Sequence, residues 1–94
     1  MELQGRVTVI TGGASGIGAA CARAFSLEGA KVVIADVNVE GARAVADDIG
    51  AIAIACDVGK EEDVGSLVEM TEKEVGTIDV FFSNAAVALT LIHF

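Results

Sequence analysis

The sequence predicts an α/β fold in which four parallel strands alternate with three helices, in the order β-α-β-α-β-α-β. Short apolar runs, rich in β-branched or aromatic residues, alternate with segments whose apolar residues recur every three or four positions. Each helical segment ends at a glycine (Gly29, Gly50 or Gly76), and the next apolar run begins at most two residues later. Strands that are apolar on both faces are typical of a parallel sheet with helices on both sides.

The predicted strands are RVTVI (6–10), KVVIAD (31–36), AIAIACD (51–57) and IDVFFSN (78–84). Right-handed crossovers are expected to place the first two helices on one face of the sheet and the third on the other. If the fourth strand returns to the far side of the first, a crevice opens between the carboxyl ends of those two strands. Open α/β sheets bind ligands at such a position.

Each helical segment has one apolar stripe that is expected to face the sheet. Asn38 is expected to cap the second helix, and three acidic residues occupy the first turn of the third, which spans roughly 60–75. The residues expected to be buried are Ile17, Ala20, Cys21, Ala24 and Phe25 in the first helix, Val39, Ala42, Val45, Ala46 and Ile49 in the second, and Val64, Leu67, Val68, Thr71 and Val75 in the third, with Arg23 and Ser26 turned outward.

Length and charge limit the possible partners. A chain of 94 residues can bury one core, so residues 1–94 are expected to form a single domain. The net charge of −8 argues against a nucleic acid or an anionic membrane surface as partner. The longest stretches without Asp, Glu, Lys or Arg, residues 7–22 and 80–94, are shorter than the ~18 apolar residues that a membrane-spanning helix needs. No signal peptide is expected at the amino terminus.

The two cysteines, Cys21 and Cys56, have no C-x-x-C spacing and no cluster of metal ligands beside them. We interpret them as small buried thiols in a reducing compartment, which predicts a cytoplasmic protein. The sequence predicts neither a disulfide nor a metal site.

The turn after the first strand, TGGASGIG (11–18), has the composition of an anion-binding loop. Its spacing matches neither the G-x-G-x-x-G fingerprint nor a P-loop. Gly12 can make the sharp exit from the strand, Gly16 lets the backbone approach a diphosphate, and Gly18 lets the helix press against the sheet. Backbone N–H groups at the helix start would then face the anion. The alternative is a turn that needs only backbone freedom.

Asp36 closes the second strand, 18 residues after Gly18. A carboxylate there can bind the two hydroxyls of an adenosine ribose, and it would repel a 2′-phosphate. Because neither Ser15 nor Val37 supplies a basic side chain to offset that repulsion, NAD is predicted in preference to NADP. Taken alone, Asp36 could instead be a solvated residue at a strand end.

As an ordered set, these motifs resemble the N-terminal half of a classical-type short-chain dehydrogenase/reductase, over residues 3 to 88. The set comprises Thr11-Gly-x-x-x-Gly-x-Gly18, Asp36, Cys56-Asp57-Val58 and Ser83-Asn84-Ala85-Ala86. The resemblance implies a Rossmann-type NAD(P)-binding fold that is incomplete, with its second half absent from these 94 residues. In the last motif, Ser83 and Ala86 stand where the family usually has Asn and Gly.

The resemblance also implies roles for individual residues. Asp57 would accept a hydrogen bond from the adenine amino group, Val58 would pack on the adenine, and Asn84 would line the cofactor and brace the fourth strand. The cofactor-binding residues implied in this way are Gly12, Ala14, Ser15, Gly16, Ile17 and Gly18 in the turn, Asp36 and Val37 after the second strand, Asp57 and Val58 after the third, and Asn84, Ala85 and Ala86 after the fourth.

In that family, hydride transfer between NAD and an alcohol or carbonyl compound uses a tyrosine whose pKa is lowered by a lysine four residues later. This sequence contains no tyrosine, and its lysines resemble residues of the cofactor-binding half. The lone His93 is next to last in the sequence and is interpreted as a tail residue. No catalytic residue is therefore predicted, and the chain alone is expected to bind NAD without catalysing the reaction.

Two other interpretations are open at this point. A methyltransferase also places a glycine turn after its first strand and an acid after its second, both serving S-adenosylmethionine, although Thr11 stands where those enzymes usually carry an acid. The chain could also be a non-catalytic module that pairs with a full-length relative. Binding of S-adenosylmethionine but not NAD would favour the first, and activity only with a complementary fragment would favour the second.

The fourth strand is expected to lie at an edge of the sheet, with Phe81 and Phe82 pointing to opposite faces. Residues 80–94 contain no Asp, Glu, Lys or Arg that would oppose pairing between chains. We therefore expect the chain to self-associate, as a homodimer or a larger assembly, through the fourth strand and the part of the second sheet face that the third helix leaves bare.

Overall fold

The computed structural model describes residues 3–84, and its element order confirms the predicted alternation of strands and helices. The strands are β1 (Val7–Thr11), β2 (Lys31–Asp36), β3 (Ile52–Ala55) and β4 (Val80–Ser83), and the helices are α1 (Gly16–Leu27), α2 (Val39–Ile49) and α3 (Glu61–Glu74).

All neighbouring strands are parallel, and the sheet has the order β3-β2-β1-β4. Val9 of β1 lies opposite Val33 of β2 on one side and opposite Phe81 of β4 on the other. The fourth strand thus returns to the far side of the first, as predicted. From β1 the chain adds β2 and β3 on one side of the sheet and then β4 on the other side, so the strand order reverses between β1 and β4. The carboxyl ends of these two strands border that position.

The predicted division of the helices between the two faces is confirmed. On one face, α1 and α2 pack Ala22, Ala42, Val45 and Ala46 against residues of β1 and β2 that include Ile10 and Ile34. On the other face, Leu67 of α3 packs against residues that include Val9, Val33 and Ile54. Helix α3 is expected to shield part of this second face.

The predicted buried stripe of α1 is wrong in part. Ile17 is 55% exposed, and Ala20 and Ala24 are also exposed, whereas Gly18 and Ala22 are the buried residues of the helix. Gly18 packs so closely on the turn before α1 that a Cβ at this position would overlap the backbone of Gly12 and Gly13. This packing rotates the inward face away from the stripe that hydropathy alone suggests. Ser26, predicted to point outward, is half-buried.

The other helices follow their predicted patterns. In α2, Ala42, Val45 and Ala46 are buried, and the Asn38 side chain accepts the Gly41 N–H at 3.1 Å as an N-cap. In α3, Leu67 and Thr71 are the buried residues of the predicted stripe, and Val64, Val68 and Val75 are half-buried.

Strands β3 and β4 are shorter than predicted. The predicted third strand ran to Asp57, but β3 ends at Ala55, and the N–H of Asp57 donates to the Asp63 carboxylate instead of to a neighbouring strand. The predicted fourth strand began at Ile78, but β4 begins at Val80. Within residues 3–84, no helix has the length and hydropathy needed to cross a membrane.

Candidate functional site

The glycine turn connects β1 to α1 through a left-handed residue. Gly12 has φ 69°, a conformation that other residues rarely adopt, and its N–H donates to the carbonyl of Ala35 at 2.8 Å, which ties the turn to β2. A Cβ on Gly18 would overlap the carbonyl group of Gly12. Glycine at both positions is therefore required by the protein's own packing.

Gly16 differs from these two glycines. It is the first residue of α1 and has no left-handed φ, and a Cβ built on it would meet no atom within 4 Å apart from its chain neighbours and the backbone of its own helix. The space above Gly16 is therefore open to solvent or to a ligand. The first N–H groups of a helix have no acceptor within the helix, and Ser15, the N-cap residue, does not cap them with its side chain.

Asn84 braces the turn from the end of β4. Its side chain is buried at 7% exposure, and its Nδ2 donates to the Gly12 carbonyl at 3.2 Å and to Ser15 Oγ at 2.8 Å. Ser15 Oγ in turn donates to the Gly12 carbonyl at 2.8 Å. These bonds hold the ends of β1 and β4 and the start of α1 in one arrangement.

The Asp36 carboxylate joins the end of β2 to the same turn. Its Oδ2 accepts the Ala14 N–H and its Oδ1 accepts the Asn38 N–H, both at 3.0 Å. These two bonds fix the orientation of the carboxylate, and each oxygen keeps a second lone pair for another donor. The adjacent Val37 side chain is 70% exposed.

The segment after β3 is held by a second group of hydrogen bonds. Asp57 donates its N–H to Asp63 Oδ2 at 2.9 Å and accepts the Gly59 N–H on Oδ1 at 2.9 Å. The N–H of Lys60 donates to the Asp57 carbonyl at 3.0 Å. Val58 lies at the tip of this segment with its side chain 42% exposed.

These three segments border one cleft of about 250 Å³ at the carboxyl ends of the strands. Its lining residues are Gly12, Asp36, Val37, Cys56, Asp57 and Val58. A larger cleft of about 360 Å³ lies where β2 and β3 begin, with Lys31 and Glu74 among its lining residues, and none of the predicted site residues borders it. The smaller cleft is the candidate site because the motifs converge there.

Five of the predicted site residues line the cleft: Gly12, Asp36, Val37, Asp57 and Val58. The turn continues from Gly12 through Ala14, Ser15, Gly16, Ile17 and Gly18. Asn84 hydrogen-bonds this turn and does not line the cleft. Ala85 and Ala86 lie outside the described residues.

Sequence reasoning missed Asp63, which binds the backbone of Asp57 from the first turn of α3. A signal was present, because an acidic residue in the first turn of a helix is well placed to accept backbone N–H groups nearby. Cys56, which the sequence analysis quoted within a motif, lines the cleft itself.

The thiol of Cys56 is 4% exposed. Burial raises the pKa of this thiol, and the negative charges of Asp63 and Asp57 raise it further. The part of the cleft lining that Cys56 forms is therefore uncharged at neutral pH. Both cysteines are free thiols.

Comparisons with known proteins find similar reductases and dehydrogenases. A family model described as enoyl-(acyl carrier protein) reductase matches residues 12–93. Tropinone reductase-like 1 from Erythroxylum coca is 49% identical over 88 residues, which cover 92% of this chain and 32% of that protein. A borneol dehydrogenase from Lavandula x intermedia is 45% identical over 93% of this chain and 34% of that protein.

A solved structure of a reductase is also similar to this chain. The crystal structure of 3-ketoacyl-(acyl-carrier-protein) reductase from Brucella melitensis, complexed with NADH, matches with a TM-score of 0.82 and 44% identity, over 84% of this chain and 34% of that chain. This chain thus spans about a third of the length of the relatives that it matches.

These relatives are named as reductases or dehydrogenases, which decides against the methyltransferase interpretation. The strand order, the glycine turn and the family match all lead to one assignment. The chain belongs to the short-chain dehydrogenase/reductase family and corresponds to the N-terminal, cofactor-binding part of its relatives.

Proposed function

We propose that this chain binds NAD across the carboxyl ends of β1, β2 and β3, and that it supplies the cofactor site for hydride transfer between NAD and an alcohol or carbonyl compound. The observation that carries the proposal is the open space above Gly16, at the start of α1 and four residues after Gly12, which lines the cleft. Protein packing explains the glycines at 12 and 18 but not the one at 16. A ligand that must approach the backbone closely would explain it.

The diphosphate is the part of NAD suited to the start of α1. Its negative charge is stabilised by the positive end of the helix dipole and by the N–H groups that have no acceptor in the helix. The Ser15 hydroxyl already donates to the Gly12 carbonyl, so the turn would bind the anion chiefly through its backbone.

The adenosine is the part suited to the cleft. A flat base can pack against the exposed side chains of Val37 and Val58, and an exocyclic amino group can donate to the Asp57 carboxylate. The Asp36 carboxylate can accept from the ribose hydroxyls. We propose a preference for NAD over NADP, because a 2′-phosphate beside the fixed Asp36 carboxylate would be repelled and Val37 offers no compensating charge.

NAD, when bound, supplies the group that accepts the hydride from an alcohol or, in its reduced form, donates it to a carbonyl compound. The residues of this chain would bind and orient it, and the 94 residues contain no tyrosine to carry the proton. We expect catalysis to require residues that these 94 do not include. We also propose a cytoplasmic location, supported by the two free thiols, and a fluorescent fusion would test it by its distribution in cells.

The test is a titration of the ¹⁵N-labelled chain with NAD, comparing the wild type with Gly16→Ala. Gly65→Ala is the matched control, because a Cβ on Gly65 also meets no atom within 4 Å but lies in α3, away from the cleft. Alanine favours a helix over glycine by up to about 1 kcal/mol, so neither variant is expected to lose stability.

Saturable shifts are expected at the amides of Gly12, Gly18, Asp36 and Asp57 in the wild type and in Gly65→Ala. Gly16→Ala is expected to bind NAD at least about tenfold more weakly, a loss of about 1.4 kcal/mol. A folded wild-type chain whose spectrum does not respond to NAD would refute the proposal. Equal affinity of Gly16→Ala and the wild type would remove its main support.

A further inference from the structure

Asp63 lies outside the cleft, yet it holds the backbone of a residue that lines it. It belongs to the first turn of α3, is half-buried, and accepts the Asp57 N–H on Oδ2 at 2.9 Å. The preceding acidic residues of the same turn, Glu61 and Glu62, are exposed. Asp63 is therefore the acid of this turn that contacts the segment after β3.

The Asp57 N–H needs an acceptor because β3 ends at Ala55, two residues before it. The Asp63 carboxylate takes the place that a carbonyl of a neighbouring strand would have in the sheet. The N–H of Asp63 donates to the carbonyl of Lys60 at 3.1 Å, so the first turn of α3 and the loop before it are bonded to each other. The loop from Asp57 to Lys60 is therefore bonded to Asp63 at both of its ends.

This arrangement leaves one oxygen of Asp57 for a ligand. Among the hydrogen bonds of residues 3–84, Gly59 uses Asp57 Oδ1, and Oδ2 is not used. Asp57 and Val58 also line the cleft. The orientation of both side chains depends on the backbone that Asp63 holds.

We propose that Asp63 is a positioning residue for adenine binding: it fixes the loop of Asp57 and Val58 so that the cleft is preformed for the base. This inference rests on the proposed function, since it takes the cleft as the adenosine site. It predicts that α3 contributes to cofactor affinity, although no residue of α3 lines the cleft. Removing the Asp63 carboxylate would leave the Asp57 N–H without an acceptor and loosen the start of the loop, and the ligand would then have to order it at a cost in affinity.

The test separates the two ends of the cofactor. Adenosine 5′-monophosphate and nicotinamide mononucleotide are titrated separately into the wild type, Asp63→Ala, Asp63→Asn and the control Glu62→Ala. Asparagine keeps a side-chain oxygen that can accept the Asp57 N–H, whereas alanine does not. Glu62 lies one residue away on the same helix but is exposed.

Asp63→Ala is expected to weaken adenosine monophosphate binding by about tenfold, the effect of one lost hydrogen bond to a charged acceptor. Asp63→Asn is expected to lose less than about threefold, and Glu62→Ala should match the wild type. Binding of the mononucleotide should be equal in all four proteins. A general loss of structure would instead weaken both ligands together, and it would show as a lower unfolding midpoint.

Equal affinity of Asp63→Ala and Glu62→Ala for adenosine monophosphate would overturn the positioning role while leaving the proposed function intact. A parallel loss for both ligands would also overturn it, because Asp63 would then be structural only. A wild-type chain that binds neither adenosine monophosphate nor NAD would overturn the proposed function and this inference together.

Discussion

The carboxylate of Asp36 accepts the backbone N–H of Ala14 at 3.0 Å, which links the end of β2 to the glycine turn after β1. The side chain proposed to choose between NAD and NADP is therefore also part of the turn's own structure. A substitution at Asp36 must change both cofactor choice and turn stability.

Asp36→Ala is expected to raise the affinity for NADP relative to NAD by about tenfold, because one close charge repulsion of about 1 kcal/mol or more is removed. The free energy of unfolding should fall by about 1–3 kcal/mol, since the N–H groups of Ala14 and Asn38 both lose their acceptor. Titration with both cofactors and urea denaturation measure the two effects. Asp47→Ala, an exposed acid on α2, is the control and should change neither quantity. An unchanged cofactor ratio would contradict the specificity role.

Asn84→Ala should destabilise the fold, because Asn84 Nδ2 donates to both Gly12 and Ser15. Loss of these two bonds is expected to lower the free energy of unfolding by about 1–3 kcal/mol. Urea denaturation followed by circular dichroism measures the change. Ser66→Ala, at an exposed position on α3, is the control and should fall within about 0.5 kcal/mol of the wild type. Identical midpoints for the two variants would show that the turn does not depend on Asn84.

The raised pKa of Cys56 predicts that the free energy of unfolding decreases at alkaline pH. Because the folded protein raises the pKa of this thiol above its ordinary value of 9.0, the unfolded chain loses the proton first as the pH rises. The contribution of Cys56 to stability is therefore fully present below pH 9.0 and is lost as the pH rises through the folded pKa.

Urea denaturation at several pH values above neutrality should show that loss in the wild type and a smaller one in Cys56→Ala. Mass spectrometry after brief alkylation provides a second measurement. In Asp63→Asn, the thiol of Cys56 should react faster than in the wild type, because one of the charges that raise its pKa has been removed. A rate that is unchanged in Asp63→Asn would contradict this electrostatic contribution.

We propose that two copies of this chain associate along β4. This strand pairs with β1 on one side, Phe81 is 42% exposed, and the acid nearest the edge, Asp79, already accepts the Val7 N–H at 2.8 Å. Light scattering at micromolar concentration should give at least a dimer for the wild type, with more association at high salt as the net charge is screened.

Phe81→Lys should shift the wild-type assembly toward the monomer. Leu27→Lys is the matched control, because Leu27 is 89% exposed on α1 and should leave the association unchanged. A wild-type chain that is a uniform monomer at these concentrations would refute the proposal.

Much of the fold could be predicted because the signals are local. The glycine at position 50, for example, has φ 69° and ends α2, which a left-handed residue does at the least cost when it has no Cβ. The stripe of α2 was also predicted well, since its larger side chains leave one apolar face. The buried stripe of α1 was predicted wrongly in part, because Ile17 is apolar yet exposed, and the buried residue beside it is Gly18. A close backbone contact, which hydropathy does not measure, decided the orientation of α1.

The residues alone predict the order of the elements, the glycine turn, the acid that ends β2 and the acid that follows β3, because each of these depends on a residue type at a given spacing. Three contacts became known only from the folded chain: Asp36 binds the Ala14 N–H, Asn84 binds the Ser15 hydroxyl, and Asp63 binds the Asp57 N–H. Asp36 and Ala14, like Asn84 and Ser15, are far apart in the sequence, and the helical crossovers of the parallel sheet bring them together. Asp63 is six residues from Asp57, but its bond depends on how α3 begins after the loop. A hydrogen bond between them depends on where the whole backbone is placed, which no short stretch of sequence specifies.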